Sequence, residues 1–306
     1  MKVVLDLDAL VAAGSLSPDE AERLAGLGKR ATGTLAFNLL VGFGVMAVAA
    51  GALALVPAPS SAIAIGFLLA LVGAGIDRAA GEDWNVLAQI CIVVGALIGG
   101  GGVLTAGDFA SGAFLTVALF YAVGAGVVRN ALLAGLAVLG VSGAVGAETG
   151  YMASDGYAAA LPESSVAIVV MVLLAGVLAL LGRAFRDEAA RLLGIGAATA
   201  LVVANFGFWV GSLWGDQLWI GGDLILDLPA EIFALAWAVL LIATGVQAAR
   251  MGARWTLNCA AVFGAVHLFS QWFDRLEASP ESVLAAGIVA LCLALGLAFV
   301  NRRLPG

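Results

Sequence analysis

The chain has 306 residues, of which 62% are hydrophobic and 11% are charged, with a mean hydropathy of +1.08 and a net charge of −7. A soluble globular chain is about 45–50% apolar and about 25% charged, so this composition excludes an ordinary water-soluble enzyme. It also excludes a disordered chain, which requires low hydrophobicity. The composition therefore predicts a membrane protein that crosses the bilayer many times.

Residues 1–30 are predicted to form a cytoplasmic amphipathic helical region. Gly14 is a plausible end for a first helix, and Ser17, Pro18 and Glu20 form the N-cap, first position and capping-box partner of a second. We expect two short helices that pack against the bundle or the lipid interface. The alternative is a module that docks a protein partner. Asp6 and Asp8 lie where the apolar core of a signal peptide would run, so no cleavable signal is expected.

Residues 31–306 are predicted to form an all-α polytopic transmembrane helix bundle. One helical crossing of the hydrocarbon core needs about 20 apolar residues, whereas a barrel needs short alternating segments. The loop 215–229 mixes apolar and acidic residues and is expected to lie along the membrane surface. Ten apolar stretches qualify as crossings: 32–56, 61–77, 85–106, 109–128, 131–147, 165–182, 192–214, 230–249, 256–273 and 282–300.

The distribution of basic residues predicts the orientation of these crossings. Lys and Arg accumulate in cytoplasmic loops. With the N-terminus inside, thirteen of the fourteen basic residues fall on the cytoplasmic side, and Arg275 is the exception. The cytoplasmic side then carries a net charge of +3 and the outer side −10. We therefore predict ten crossings with both termini in the cytoplasm. The acidic outer face has two explanations: positive-inside insertion leaves only acidic residues outside, or the face attracts cations or a basic partner.

Four apolar helices share one pattern, which predicts helical hairpins in series. Each ends in an Arg and is followed by a helix running back out, and their starts lie about 50–65 residues apart, a spacing expected of tandem hairpins. Their common orientation would make them parallel repeats rather than inverted ones. The four helices are 61–78, 113–129, 166–183 and 232–250.

Glycine is abundant, with 41 residues concentrated in the predicted crossings. Small residues allow the close backbone approach through which helices associate in lipid. For Gly95 and Gly99 we expect packing within the chain rather than dimerisation. The run Gly99–Gly102 weakens a helix, so a kink or an unwound outer end is expected there.

Ionisable residues in crossings are candidate functional groups because they are expensive to bury. His267, Gln271 and Asp274 share one helix face of the ninth crossing, and His267 is the single histidine of the chain. Such a cluster predicts a polar pocket open to the outside with a proton-linked or cation-binding role. The alternative is a set of interhelical hydrogen bonds that hold the bundle together. The predicted pocket residues are Asn205, Trp209, Glu231, His267, Gln271 and Asp274.

Six of the seven tryptophans lie between Trp209 and Trp272, which an interfacial aromatic belt explains. The alternative is a platform that binds lipid, sugar or protein. No metal-ligand spacing, phosphate loop or catalytic triad is visible, so we expect no cofactor, no metal and no enzymatic activity. Cys91, Cys259 and Cys292 lie in crossings and are expected to be apolar packing residues. The acidic balance opposes nucleic-acid binding.

Both ends of the chain resemble the DUF2157 family of bacterial multi-pass membrane proteins. The opening Leu10–Gly14 followed by Ser17–Ala21 is similar to that family's cytoplasmic start. Arg254, Asn258 and Phe273-Asp274, with a last helix closing on Arg302-Arg303, are similar to its final hairpin. The resemblance implies a multi-pass inner-membrane protein, and it implies no catalytic residue.

These observations lead to two hypotheses about function, and to a third, an intramembrane enzyme acting on lipid, that no set of residues supports. The first is a non-enzymatic scaffold or accessory subunit of the bacterial plasma membrane, surrounded by lipid, whose N-terminal helices or acidic outer face bind a protein partner. The second is a small-solute or proton-linked transporter that uses Asn205, Glu231, His267 and Gln271. Prolines that break crossings are common in transporters. Here all seven prolines lie outside the predicted crossings or at their ends, which argues against the transporter.

Overall fold

The computed structural model describes residues 10–11, 13–80, 84–148, 164–220, 223–277 and 279–303. Within them lie ten helices of 18 residues or more and one two-stranded sheet. The elements are α1 (Pro18–Leu55), α2 (Pro59–Ala79), α3 (Asn85–Ala106), α4 (Ser111–Val128), α5 (Ala131–Glu148), α6 (Ser164–Ala184), α7 (Asp187–Trp214), β1 (Asp216–Ile220), β2 (Asp223–Leu228), α8 (Ala230–Met251), α9 (Arg254–Leu276) and α10 (Pro280–Arg303).

The helical class of the chain is confirmed, and each predicted crossing coincides with one helix. Among the described residues, seven helices are long and apolar enough to cross a membrane: α1 over Phe37–Leu55, α2, α3, α4, α6, α7 and α8. Helices α5 and α10 have shorter apolar stretches, and α9 carries a polar face. Large apolar side chains are exposed on these helices, for example Leu40 (71%) and Val48 (74%). Outward-facing apolar surface on this scale belongs to a membrane protein.

The N-terminal capping signals are confirmed, whereas the short second helix is wrong. Gly14 has φ +68°, and the N–H of Ser15 donates to the Leu10 carbonyl (3.0 Å), which ends the first helical turn. The Ser17 backbone N–H and hydroxyl both donate to the Glu20 carboxylate and hold its pKa below the usual value. From this cap α1 runs 38 residues without a break at residue 30, because no proline interrupts the sequence before the apolar stretch. Residues 1–9 and 12 lie outside the described part.

Two compact units make up the fold. Unit 1 comprises residues 1–108 and 123–133, and unit 2 comprises residues 109–122 and 134–306. The centre of unit 1 is the pair α2–α3, whose backbones touch at glycines. A Cβ on Gly66 would lie 2.6 Å from the Gly95 carbonyl oxygen, and a Cβ on Gly95 would lie 2.6 Å from the Gly66 carbonyl oxygen. Packing of Gly95 within the chain is therefore confirmed.

The unwound outer end expected at Gly99–Gly102 is wrong, because α3 is helical from Asn85 to Ala106. These glycines contribute to the α2–α3 contact: a Cβ on Gly102 would lie 2.9 Å from the Ile63 backbone nitrogen. Packing compensates for the poor helix propensity of glycine measured in water. In lipid, an unwound turn would also leave backbone groups without hydrogen-bond partners.

Unit 2 has its core where α5, α6 and α7 meet. The core residues include Met171 and Ala200, both fully buried, with Val138, Ala175 and Ala204 around them. Helix α7 also packs against α8, and α9 packs against α8 and α10. A Cβ on Gly211 of α7 would clash with the Phe233 ring of α8. This packing places the polar residues of α7, α8 and α9 together.

Short turns connect three helix pairs of the predicted hairpins. Two residues separate α4 from α5, α6 from α7, and α8 from α9. Each turn contains or adjoins a residue of positive φ: Arg129 (+51°), Asp187 (+56°) and Gly252 (+68°). Turns this short force the two helices of each pair to run antiparallel. The connection between α2 and α3 includes residues 81–83, outside the described part.

A β-hairpin between α7 and α8 is the one departure from helix among the described elements, and it replaces the irregular loop expected at 215–229. Strands β1 and β2 pair antiparallel from Asp216 opposite Leu228 to Ile220 opposite Asp223, with a register shift after Leu218. Each strand contains a run of three apolar residues, 218–220 in β1 and 224–226 in β2, and the sequence Gly-Gly between the two runs favours a hairpin.

Candidate functional site

The six residues of the predicted pocket lie on α7, α8 and α9 of unit 2. Three of them, Glu231, His267 and Gln271, line one cavity between α8 and α9. Asn205 reaches this group through a neighbouring tryptophan. Trp209 and Asp274 lie elsewhere. The structure thus brings together four of the six residues.

Asn205 of α7 has both ends of its amide bonded. Its Oδ1 accepts a hydrogen bond from Nε1 of Trp237 (2.8 Å), and its Nδ2 donates to the Leu201 carbonyl (2.8 Å). Trp237 is fully buried. Its ring meets the His267 ring edge-on, with centroids 4.9 Å apart. Asn205, Trp237 and His267 therefore form a chain of contacts across three helices.

Gln271 of α9 is bonded to α7 in a similar way. Its Nε2 donates to the carbonyl oxygen of Ser212 (3.0 Å), and its Oε1 accepts from Nη2 of Arg275 (3.3 Å). Ser212 is 3% exposed, and its hydroxyl donates to the Trp209 carbonyl (2.7 Å). The two amides thus act as bridges between helices, which is the structural alternative drawn from the sequence.

The cavity between α8 and α9 has a volume of about 640 Å³. Its walls are mostly apolar, and four side chains bring polar groups to it: Glu231, His267, Gln271 and Arg275. The remaining lining residues are Ala234, Leu235, Ala238, Leu268, Trp272 and Leu276. The site is therefore amphipathic, with both signs of charge in one cavity.

His267 has a buried Nδ1 without a hydrogen-bond partner. Buried polar atoms are nearly always paired, so this nitrogen is a candidate contact for a bound molecule. The hydroxyl of the neighbouring Ser270 donates to the His267 carbonyl instead (3.0 Å). Of the six predicted pocket residues, His267 is therefore the best candidate to contact a bound molecule.

Trp209 and Asp274 do not belong to this cavity. Trp209 lines an apolar groove of about 550 Å³ with Val262, Val266 and Phe269, on another face of α9. Asp274 is exposed. Although it shares a helix face with His267, Asp274 does not line the cavity.

Three contributors were missed from the sequence. The sequence places Trp237 in the predicted aromatic belt and Arg275 as the exception among the basic residues, and no prediction includes Ser212. The spacing of Gln271 and Arg275, four residues apart on one helix face, was an available signal for the second. No comparable signal marks Trp237 or Ser212, because their partners come from other helices.

A second polar cluster lies in unit 1 and was also missed. Nε2 of Gln89 donates to Oδ1 of Asp77 (3.2 Å), and the amide of Asn130 donates to Oε1 of Gln89. Oδ1 of Asn130 accepts from the Leu133 N–H (3.0 Å), which caps the start of α5. Each amide is paired, so this cluster joins helix ends and offers no unpaired group.

The arrangement at α8–α9 can bind and orient a small polar or amphiphilic molecule. Among the described residues no group of three or more His, Cys, Asp or Glu side chains is placed to hold a metal ion. No protein-family model, curated protein or solved structure matches the chain.

Proposed function

We propose that the chain is a multi-pass membrane protein without enzymatic activity that serves as a scaffold or accessory subunit. The observation that carries this proposal is the hydrogen bonding of the two amides in the predicted pocket. Asn205 is bonded to Trp237, and Gln271 to Ser212, each across two helices. A transport path needs polar groups that face a passage and exchange partners, whereas these groups fix helices in place.

The proposed topology has ten crossings with both termini in the cytoplasm of a bacterial cell. The short connections after α4, α6 and α8 all lie next to arginines: Arg129, Arg183, Arg186, Arg250 and Arg254. Arginine at every described inner turn supports a cytoplasmic position for these turns. In this topology α5, α9 and α10 cross as well, with the polar face of α9 covered by α7 and α8.

The cytoplasmic start of α1 is the proposed contact for a protein partner. Its first turn exposes Asp19 and Glu20 beside the Ser17 cap, which makes a rigid acidic helix end. The acidic outer face is the alternative contact surface. Membership of the DUF2157 family remains part of this proposal, and it depends on the sequence similarity at the two ends of the chain.

A transport assay tests this proposal. Purified protein in liposomes is expected to move protons and potassium no faster than empty liposomes, because Asn205 and Gln271 are held in hydrogen bonds between helices. Solute flux that disappears in His267→Ala and persists in Cys292→Ala would overturn the proposal. Cys292 is a suitable control because it is exposed on α10, away from the cavity.

A proton-linked or small-solute transporter is the second candidate, and the α8–α9 cavity favours it. The cavity contains His267, whose Nδ1 has no partner, and Glu231. Imidazole titrates near neutral pH and could bind and release a proton there. The same liposomes decide between the candidates, since this one requires flux that depends on His267.

A further inference from the structure

The two charged residues of the α8–α9 cavity lie at the same end of a helix pair. Glu231 is in the first turn of α8, and Arg275 is in the last turn of α9. The two helices are antiparallel, so these turns are adjacent. This end of the pair is where an apolar helix such as α8 emerges from the hydrocarbon, at the level of lipid headgroups.

Neither charge is neutralised by the protein among the described residues. Arg275 donates one hydrogen bond, to Gln271, and forms no ion pair there. A guanidinium has five N–H donors, so most of its capacity remains for another acceptor. Glu231 is exposed and likewise has no ion-pair partner in the described part of the chain. The cavity therefore presents a separate cation and anion.

Away from these charges the lining of the cavity is apolar except for His267 and Gln271. His267 lies eight residues before Arg275 on α9, which corresponds to about 12 Å along the helix. The wall between Arg275 and His267 is formed by Ala234, Ala238 and Leu268. A molecule that fits this gradient has a charged head and an apolar tail. A water-soluble zwitterion would leave the apolar depth unfilled.

From this geometry we propose that the α8–α9 cavity binds a zwitterionic phospholipid, with the phosphate at Arg275 and the ammonium at Glu231. Arginine binds phosphate oxygens through paired, charge-assisted hydrogen bonds. A primary ammonium, as in phosphatidylethanolamine, donates hydrogen bonds to the Glu231 carboxylate. The upper part of an acyl chain lies against Ala238 and Leu268. The site goes beyond a scaffold role, because it makes one lipid a specific ligand.

Lipid binding to the full-length protein in detergent tests this site. Native mass spectrometry would compare phosphatidylethanolamine with phosphatidylglycerol of the same acyl chains. We expect tighter binding of phosphatidylethanolamine to the unmodified protein. Arg275→Gln should weaken both lipids about tenfold, since both carry the phosphate. Glu231→Gln should weaken phosphatidylethanolamine alone and remove the preference.

Matched control variants remove the same charge as the test variants, but at positions outside the cavity. Glu277→Gln lies just after α9, and Arg250→Gln lies at the far end of α8, and neither residue lines the cavity. Both variants should bind lipid like the unmodified protein. Arg275→Lys keeps the charge and should retain part of the binding, which separates loss of the site from loss of folding.

Two results would overturn the proposal. The first is equal binding of the two lipids that none of the cavity variants changes. The second is displacement of the lipid by glycerophosphoethanolamine, which has the headgroup without acyl chains, at concentrations similar to those of the intact lipid. That outcome would assign the cavity to a soluble zwitterion.

Discussion

Trp237 and Asn205 illustrate how a single hydrogen bond organises three helices at the residue scale. The tryptophan has no exposed surface, and its N–H would lack any partner if Asn205 were removed. Its ring also provides the surface against which the His267 imidazole packs. The position of His267 at the cavity thus depends on a pair of residues that do not line the cavity.

We expect this pair to show measurable coupling in a double-mutant cycle. Trp237→Phe and Asn205→Ala each lower the free energy of unfolding, and their interaction energy should be about 0.6–1.7 kcal/mol, the range for hydrogen bonds within membranes. Unfolding in mixed micelles measures these values. Trp214→Phe is the control, since Trp214 is 61% exposed. Additive effects of the two variants would show that the bond contributes nothing to stability.

Prediction from sequence worked for residues of one helix and failed across helices. The shared face of His267 and Gln271 follows from their spacing on α9, and both line the cavity. Asn205 was grouped with them, but its actual partner, Trp237, could not be identified. Helical periodicity determines that residues four apart are neighbours on one helix face. Contacts between helices depend instead on how each helix is rotated about its axis and on the turns that connect them.

At the scale of elements, glycine sets how closely helices approach. In α2–α3 the backbones are in contact at Gly66 and Gly95, with no room for a methyl group on either side. Gly101 of the same helix has open space where its Cβ would be. The same residue type therefore has opposite consequences at two positions six residues apart, which composition alone cannot reveal.

Substitution of these two glycines tests the packing. Gly95→Ala should lower the free energy of unfolding by about 1–3 kcal/mol, as overpacking of a close contact does. Gly101→Ala should have no effect or stabilise slightly, because alanine favours the helix and meets no neighbour. The stability of unit 1 is measured by thermal unfolding, which is followed through the reaction of the buried Cys91 thiol with a labelling reagent. Equal stability of the two variants would contradict the contact.

The sequence predicted where helices lie better than how they begin, bend or end. The length of each apolar stretch located the ten described helices that coincide with the predicted crossings. It did not reveal that α1 extends from Pro18 through residue 30, because an exposed helix and a buried one share backbone propensities. The unwound end expected at Gly99–Gly102 is wrong because helix propensity in water does not account for the packing of these glycines against α2. The β-hairpin was missed because its strands are only 5 and 6 residues long.

At the scale of the whole chain, charge and helix order support each other. Thirteen of fourteen basic residues fall on one side when ten helices alternate in direction. The lipid site adds a reason for the fourteenth, since Arg275 serves as a phosphate ligand rather than as a topological signal. Helix α9 carries a polar face and is not among the seven described helices that are long and apolar enough to cross a membrane. Its crossing depends on cover from α7 and α8.

Topology reporters at the two termini and in the β-hairpin test the ten-crossing arrangement most directly. Green fluorescent protein should fluoresce at either terminus, and alkaline phosphatase should be active only when inserted between β1 and β2. Active phosphatase at the C-terminus with a fluorescent N-terminal fusion would mean an odd number of crossings. That result would contradict the account, because α9 or another helix would then lie outside the membrane.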